Sequence, residues 1–336
     1  MNNLRELLNN IWAISPLKMI SLSINNNFWD YLSEKNNPVL ITEVLTHFSW
    51  RKRPFLLMMN IFKELGLIEQ NETSISLTPI SRKWLVTQSK DYIGDFIVRA
   101  NKLAKAYDEH LETLLKEDVP DKNMYALTLN AFGGESSATK VFASSMDAMT
   151  REFANEILEK VQCQGVLKCL DIGAGLGTMG KIICDRNPKT EVTFVELPGV
   201  AEVLQKKVES FKNSNQFNVI TSDWRDLNKH LAPNDRFDLI ILSQILHEEK
   251  KENAIKLMEI CSKLLVNGGQ LAIIGFLDDE ALLTHLFSMN MLMELGSDNL
   301  TQKEISSIAK RNGINTQYTY SSSTSGRMLW IGKKEL

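Results

Sequence analysis

One stretch limits the fold more than any other: Leu170-Asp171-Ile172-Gly173-Ala174-Gly175-Leu176-Gly177-Thr178. It follows an apolar, strand-like run and opens a helical pattern. Glycines at such a junction allow a tight turn and let a ligand approach the backbone closely. Around it, apolar strand-like runs lie at 166–172, 191–197, 217–222, 237–246 and 270–277, with helical patterns at 178–186, 199–212 and 250–266. Strands alternating with helices predict a parallel sheet covered on both faces. Two more strand candidates, 316–320 and 328–332, close the chain. They are near enough for a hairpin, so one is expected to run antiparallel at the sheet edge.

The glycine spacing is GxGxG. A dinucleotide fingerprint would need glycine where Thr178 stands. Asp171, just ahead of the first glycine, would repel a pyrophosphate but suits a cofactor with a positive centre or an ammonium group. Nineteen residues after Gly177 comes Glu196, at the end of the second strand. A carboxylate there can accept both hydroxyls of a ribose. The third strand ends in Ser222-Asp223-Trp224. Asp223 is placed to accept from an adenine amino group, with Trp224 lying on the ring.

The first half reads as mainly helical. Residues 4–14 and 17–32 carry apolar residues at helical spacing, and Thr42 opens a further helix. Pro54 suits the first turn of the next one, which Gly66 ends. Two short strand-like pieces, 67–69 and 74–77, follow. Helix, helix and small hairpin is the order of a winged helix. A DNA-reading helix should expose polar side chains to base edges, yet the helix after Pro54 is apolar on nearly every face. Basic residues number 18 and acidic 20 up to residue 160, with 20 and 21 beyond it. Neither half offers the clustered positive charge that nucleic acid requires. An apolar helix here is expected to pack on another helix or a second subunit. Residues 91–130 read as two helices with a loop near 119–121, residues 130–136 as a turn-rich connection, and 139–160 as a long amphipathic helix. The division expected is 1–95, 96–150 and 151–336.

Four scattered cysteines, with no CxxC pair, fit a reducing compartment. The beginning, MNNLRELLNN, lacks a cationic segment leading into an apolar one. The longest apolar stretch is about half the ~20 residues of a membrane span. The expectation is therefore a cytoplasmic protein without a membrane segment.

The motifs LDIGAGLGT, FVELPGV, SDW, FDLIILSQILHEE and LLVNGGQLAIIGF, with the late LFSMNMLMELG, stand in a telling order. The second half resembles a class I S-adenosylmethionine-dependent methyltransferase. The whole chain resembles the small-molecule O-methyltransferases with an N-terminal winged-helix dimerisation domain. The resemblance implies an α/β protein in which a Rossmann-like domain follows a mainly helical one. It implies S-adenosylmethionine as cofactor, a small-molecule acceptor and a homodimer. Gly173, Gly175, Glu196, Asp223 and Trp224 would line the cofactor site, with Asp171, Gly177 and Leu197 beside them. Ser243 and Gln244 would lie near its methionine end. Phe142, Met146, Met149, Asn290 and Met291 would shape the acceptor pocket.

Methyl transfer from a sulfonium is an in-line displacement, so the protein mainly aligns the nucleophile. A phenol has a pKa near about 10 and gains from losing its proton. His247 sits just beyond the fourth strand, in the crevice where open α/β sheets bind ligands, and the resemblance makes it the general base. Glu248 is the second catalytic candidate. One departure stands out. Family members often place a carboxylate at the end of the fifth strand to orient the histidine, and here Gly275 occupies that position. That leaves open N- or C-methylation, catalysis by proximity alone, or a non-methylating reaction on the same scaffold. A ligand-sensing DNA-binding regulator is the reading from another class. His285 with Asp278, Asp279 and Glu280 shows no fixed ligand spacing, so no metal is expected.

Overall fold

A computed structural model describes residues 4–35, 38–133 and 137–335. The chain divides into two compact units, residues 1–108 and 109–336.

In the first unit, helices α1 (Leu4–Trp12), α2 (Ile14–Asn25) and α3 (Phe28–Glu34) precede strand β1 (Val39–Leu40). Asn27 takes a left-handed conformation, φ 55°, and splits the apolar run expected as one helix over 17–32 into α2 and α3. Helices α4 (Ile41–Phe48) and α5 (Lys52–Glu64) lead into β2 (Ile68–Gln70) and β3 (Ser74–Leu77). The three strands pair antiparallel in the order β1-β3-β2. Phe55, Met59 and Phe62 bring α5 onto a core with Phe28, Trp29 and Leu32, while Leu57 stays exposed. α6 (Pro79–Trp84) follows, and the boundary between the units falls within α7 (Gly94–Glu117).

In the second unit, α8 (Lys122–Gly133) and α9 (Ser137–Leu158) precede the sheet. The turn expected over 130–136 lies partly in the end of α8 and partly outside the described residues. The strands are β4 (Lys168–Ile172), β5 (Glu191–Glu196), β6 (Phe217–Thr221), β7 (Phe237–Ser243) and β8 (Leu265–Gly275), followed by β9 (Ile314–Ser321) and β10 (Met328–Lys334). Between them run α10 (Thr178–Arg186), α11 (Pro198–Glu209), α12 (Lys251–Leu264), α13 (Leu282–Leu295) and α14 (Gln302–Arg311).

The order across the sheet is β6-β5-β4-β7-β8-β10-β9. The first five pair parallel; β10 runs antiparallel between β8 and β9. The antiparallel strand is therefore not the edge strand, as expected from sequence, but the one next to it. Composition explains the placement. Met328, Leu329, Trp330 and Ile331 are all buried, whereas β9 (INTQYTYS) is polar and largely exposed. An apolar strand gains by lying inside a sheet, and a polar one tolerates the solvated edge.

Apolar side chains fill both faces of the sheet, with Leu170, Ile172, Ile240 and Leu242 in one layer and Cys169, Phe194, Leu239 and Ile241 in the other. Close helix–sheet approach is enforced at Gly180. A Cβ there would stand 2.6 Å from Phe194 Cε1 and 2.7 Å from Val192 Cγ1. Overpacking a core typically costs about 1–3 kcal/mol. Gly180→Val should lower the unfolding free energy by about that much in urea titration. An unchanged midpoint would show that α10 can move off the sheet freely.

Candidate functional site

The carboxyl ends of β4, β5 and β7 carry the expected cofactor residues. Gly173, Gly175 and Gly177 all have positive φ. Gly177, at 76°, opens α10, and a Cβ on it would press on Leu204 and Phe194. Glu196 ends β5 and folds back over this loop. Its carboxylate accepts from Gly175 N–H at 2.7 Å and Leu197 N–H at 2.8 Å. Leu197 lies just ahead of Pro198 at the start of α11.

Three carboxyls gather here with no cationic partner among the described residues. Asp171 is buried at the end of β4; one oxygen accepts from Gly180 N–H at 3.0 Å, and Oδ1 has no hydrogen-bond partner. Burial pushes its pKa up to about 7, against the Gly180 N–H and with the Glu196 charge. Burial likewise raises Glu196 to about 7, against the Leu197 and Gly175 N–H groups. Glu248 is raised to about 8 by burial, then by the charges of Glu196 and Glu249. At the end of β7, Ser243 is half-buried, and Gln244 takes a left-handed φ of 61°. The Gln244 Nε2 is buried and has no partner. Acids held above their ordinary range, an orphaned carboxylate oxygen and an orphaned amide suit a ligand that is cationic and rich in hydroxyl and amino groups. They do not suit a pyrophosphate.

At the end of β6 the structure adds what sequence reading missed. Asp223 caps the following turn by accepting from Arg225 N–H, and its two oxygens bind the Arg225 guanidinium at 3.0 and 2.9 Å. Arg225 also grips Glu249. Trp224 is buried, donates its indole N–H to Glu249 at 2.9 Å, and has the Arg225 guanidinium over its ring at 4.5 Å. One face of the indole is therefore already covered. Glu249 is the hub of this network and also accepts from Asn253 at 3.1 Å.

His247 lies in the short turn Leu246–Glu248 beyond β7 and is buried. Its backbone carbonyl accepts from Ser297 Oγ at 2.7 Å. Its ring stands perpendicular to Phe287 of α13, centroids 4.7 Å apart. Among the described residues no carboxylate bonds the imidazole. Gly275 ends β8 with Leu277 packed where a side chain would begin, 3.2 Å from an added Cβ. Burial, then the charge of Arg327, lowers the His247 pKa to about 3. The ring is neutral at every physiological pH.

Phe142, Met146 and Met149 recur at helical spacing on α9 and are half-exposed, with Phe153 continuing the face into the core. Asn290 and Met291 are half-buried on α13, which packs on α8 and on the His247 turn. A further clamp also went unread in the sequence. Asp147 of α9 accepts from Thr178 Oγ1 at 2.5 Å, binds Lys207 at 2.9 Å and pairs with Arg151. It ties α9 to the first residue of α10.

The profile of the O-methyltransferase domain matches residues 109–315. The chain belongs to the O-methyltransferase family. It is 24% identical over 257 residues to the 3-hydroxy-5-methyl-1-naphthoate 3-O-methyltransferase of Streptomyces sahachiroi, covering 75% of this chain and 73% of that one. It is 24% identical over 256 residues to myricetin 3'-O-methyltransferase 4 of Solanum lycopersicum, covering 72% and 67%. Human N-acetylserotonin methyltransferase, solved in complex with SAM, superposes with a TM-score of 0.81 at 17% identity, over 99% of this chain and 97% of that one. The protein is an enzyme whose cofactor is S-adenosylmethionine. No helix among the described residues is long and apolar enough to cross a membrane.

With Asp171 and Glu196 as cofactor residues, their raised pKa values would make cofactor affinity depend on pH. Below about 7, Asp171 and Glu196 hold protons, and a cationic ligand favours their release. S-Adenosylmethionine affinity should therefore rise with pH from 6 to 8, by up to about tenfold per unit for each carboxyl that ionises. S-Adenosylhomocysteine, whose sulfur is uncharged, should show a shallower slope. Calorimetric titration of both ligands across that range checks the difference. Equal slopes would mean that these acids do not feel the sulfonium.

Proposed function

We propose that this enzyme methylates a hydroxyl of a small aromatic metabolite and that His247 takes the hydroxyl proton. The observation that carries the reading is a buried histidine just beyond the carboxyl end of β7, its ring set against Phe287. The relatives named for naphthoate and myricetin methylation support an aromatic hydroxyl as the acceptor group. Bound S-adenosylmethionine supplies a methyl already activated by its sulfonium. Asp171, Glu196 and Gln244 bind its polar groups, with Asp223 and Trp224 at the adenine side and Ser243 near the methionine side. These residues would hold that methyl in line with the acceptor hydroxyl, and His247 would take the hydroxyl proton. Phe142, Met146, Met149, Asn290 and Met291 shape the acceptor pocket, with methionines as adaptable apolar walls. Glu248, protonated at neutral pH, donates rather than accepts.

A second reading has its own support. His247 lacks an orienting acid, and a base usually needs a third group to hold it. Proximity alone, or methylation of nitrogen or carbon, fits that feature. The test is incubation with S-adenosylmethionine and a panel of phenols, anilines and activated carbon acids, read by mass spectrometry for a gain of one methyl. Products confined to phenols support the first reading; products confined to the others support the second.

We also propose that residues 1–95 form a winged-helix dimerisation domain, with 96–150 a helical connection to the catalytic domain over 151–336. The exposed apolar residues Leu4, Ile11, Trp12 and Leu22 of α1 and α2 support a homodimer. Light scattering at a monomer mass would overturn it. The proposed setting is the cytoplasm.

A further inference from the structure

Arg327 is a cation the mechanism above does not use. It lies in the turn between β9 and β10, and its guanidinium is sandwiched between Phe153 of α9 at 4.4 Å and Phe276 at 4.8 Å. Its Nε is buried without a hydrogen-bond partner. Among the described residues no carboxylate pairs with it. Glu156 of α9, one turn beyond Phe153, is fully engaged elsewhere. It accepts from Tyr320, Ser322, Ser323 and Thr324, and those bonds hold its pKa down to about 2. Glu156 thus fastens the turn to α9 while leaving Arg327 unpaired. Gly326, next to it, leaves room for Leu283 of α13, since a Cβ there would stand 2.6 Å from that side chain.

The cation is held against the same apolar wall as His247. Phe276 packs on Phe287 at 4.4 Å, and Phe287 packs on the His247 ring at 4.7 Å. A half-buried guanidinium with no acidic partner gives up part of its solvation, and an anion that reaches it replaces what was lost. Its planar fork matches a carboxylate, and the flanking rings match an aromatic body.

We propose that Arg327 recognises the acceptor: its guanidinium pairs with the carboxylate of an aromatic hydroxy acid whose hydroxyl is presented to His247. This rests on the aromatic-hydroxyl reading of the previous section and narrows it. Pairing also cancels the positive charge that weakens His247 as a base. Substrate recognition and proton acceptance are thereby coupled.

The test separates binding from turnover. Protein saturated with S-adenosylhomocysteine is titrated with a hydroxynaphthoic acid, its methyl ester and the parent naphthol. The acid should bind roughly 100-fold tighter than the two neutral compounds, as expected for an enclosed charge pair. Arg327→Met should remove that preference without weakening naphthol binding. Arg327→Lys should keep only part of it, because an ammonium cannot form the two-pronged pair. An acid that binds no tighter than its ester overturns the proposal. So does an Arg327→Met protein that still prefers the acid. The wild-type comparison decides the matter even if that variant does not fold. Turnover is then read with S-adenosylmethionine. A methoxy acid is the expected product, and a methyl ester overturns the proposal by placing the carboxylate at the sulfonium instead. Selective binding by Arg327 with no methyl ether formed from any phenol would sink the hydroxyl reading and leave the carboxylate site standing.

Discussion

Glu196→Ala is expected to weaken S-adenosylmethionine binding by roughly 10²–10³-fold. Hydrogen bonds to a charged group contribute about 1.5–3 kcal/mol each. A carboxylate offers about four lone-pair sites; Gly175 and Leu197 N–H occupy two of them. The remaining two are free to accept from ribose hydroxyls. Alanine removes those acceptors and also releases the N–H groups that shape the loop. Glu196→Gln keeps the size and one acceptor oxygen, so it should fall between. Calorimetry with S-adenosylmethionine gives the affinities, and thermal unfolding without ligand separates a loop effect from a folding one. A folded alanine variant that binds within tenfold of wild type would remove Glu196 from the cofactor site.

The second large effect is on turnover. His247→Ala should lower kcat by about 10²-fold, the lower edge of the range for a positioned base, with cofactor affinity unchanged. The lower edge is expected because no acid supports the imidazole and burial disfavours its charged form. The pH profile carries a sign of its own. A base acts in its neutral form, and a pKa lowered to about 3 leaves His247 neutral far below the usual histidine range. The acid limb of kcat/KM should therefore follow the carboxyls near 7 through cofactor binding, not an ordinary histidine near about 6.5. At saturating cofactor that limb should move down. A limb that stays near 6.5 at saturation and vanishes in His247→Ala would show that His247 titrates normally in the complex. Turnover unaffected by the substitution would leave proximity alone as the catalytic device.

The glycine loop shows how far local signals reach. A strand, GxGxG and a helix over 178–186 were legible because each depends on a few adjacent residues, and α10 spans Thr178–Arg186. The place of His247 just beyond β7 was legible from the apolar strand before it. Trp224 was less so. Its residue type predicts a flat surface for a ring, but packing turned the indole inward, onto Glu249 and under Arg225. Glu249 reads in the sequence as one more surface acid, and only the approach of Asn253, Trp224 and Arg225 makes it a hub. Asp147 and Glu156 are alike: each is an ordinary helix carboxylate until a distant segment arrives, Thr178 and Lys207 for the first, the β9–β10 turn for the second.

By itself the sequence determined the alternating α/β class, the glycine loop with its following acid, and the family to which the chain belongs. Periodicity, turn chemistry and ordered motifs are properties of neighbouring residues, and they survive in one dimension. Only the tertiary structure decided that β10 lies inside β9, that three acids gather at the glycine loop, and that Arg327 stands between two rings with no acidic partner among the described residues. Those facts depend on contacts between segments far apart in the chain, where burial sets the charge state of a group and packing decides which partner it meets.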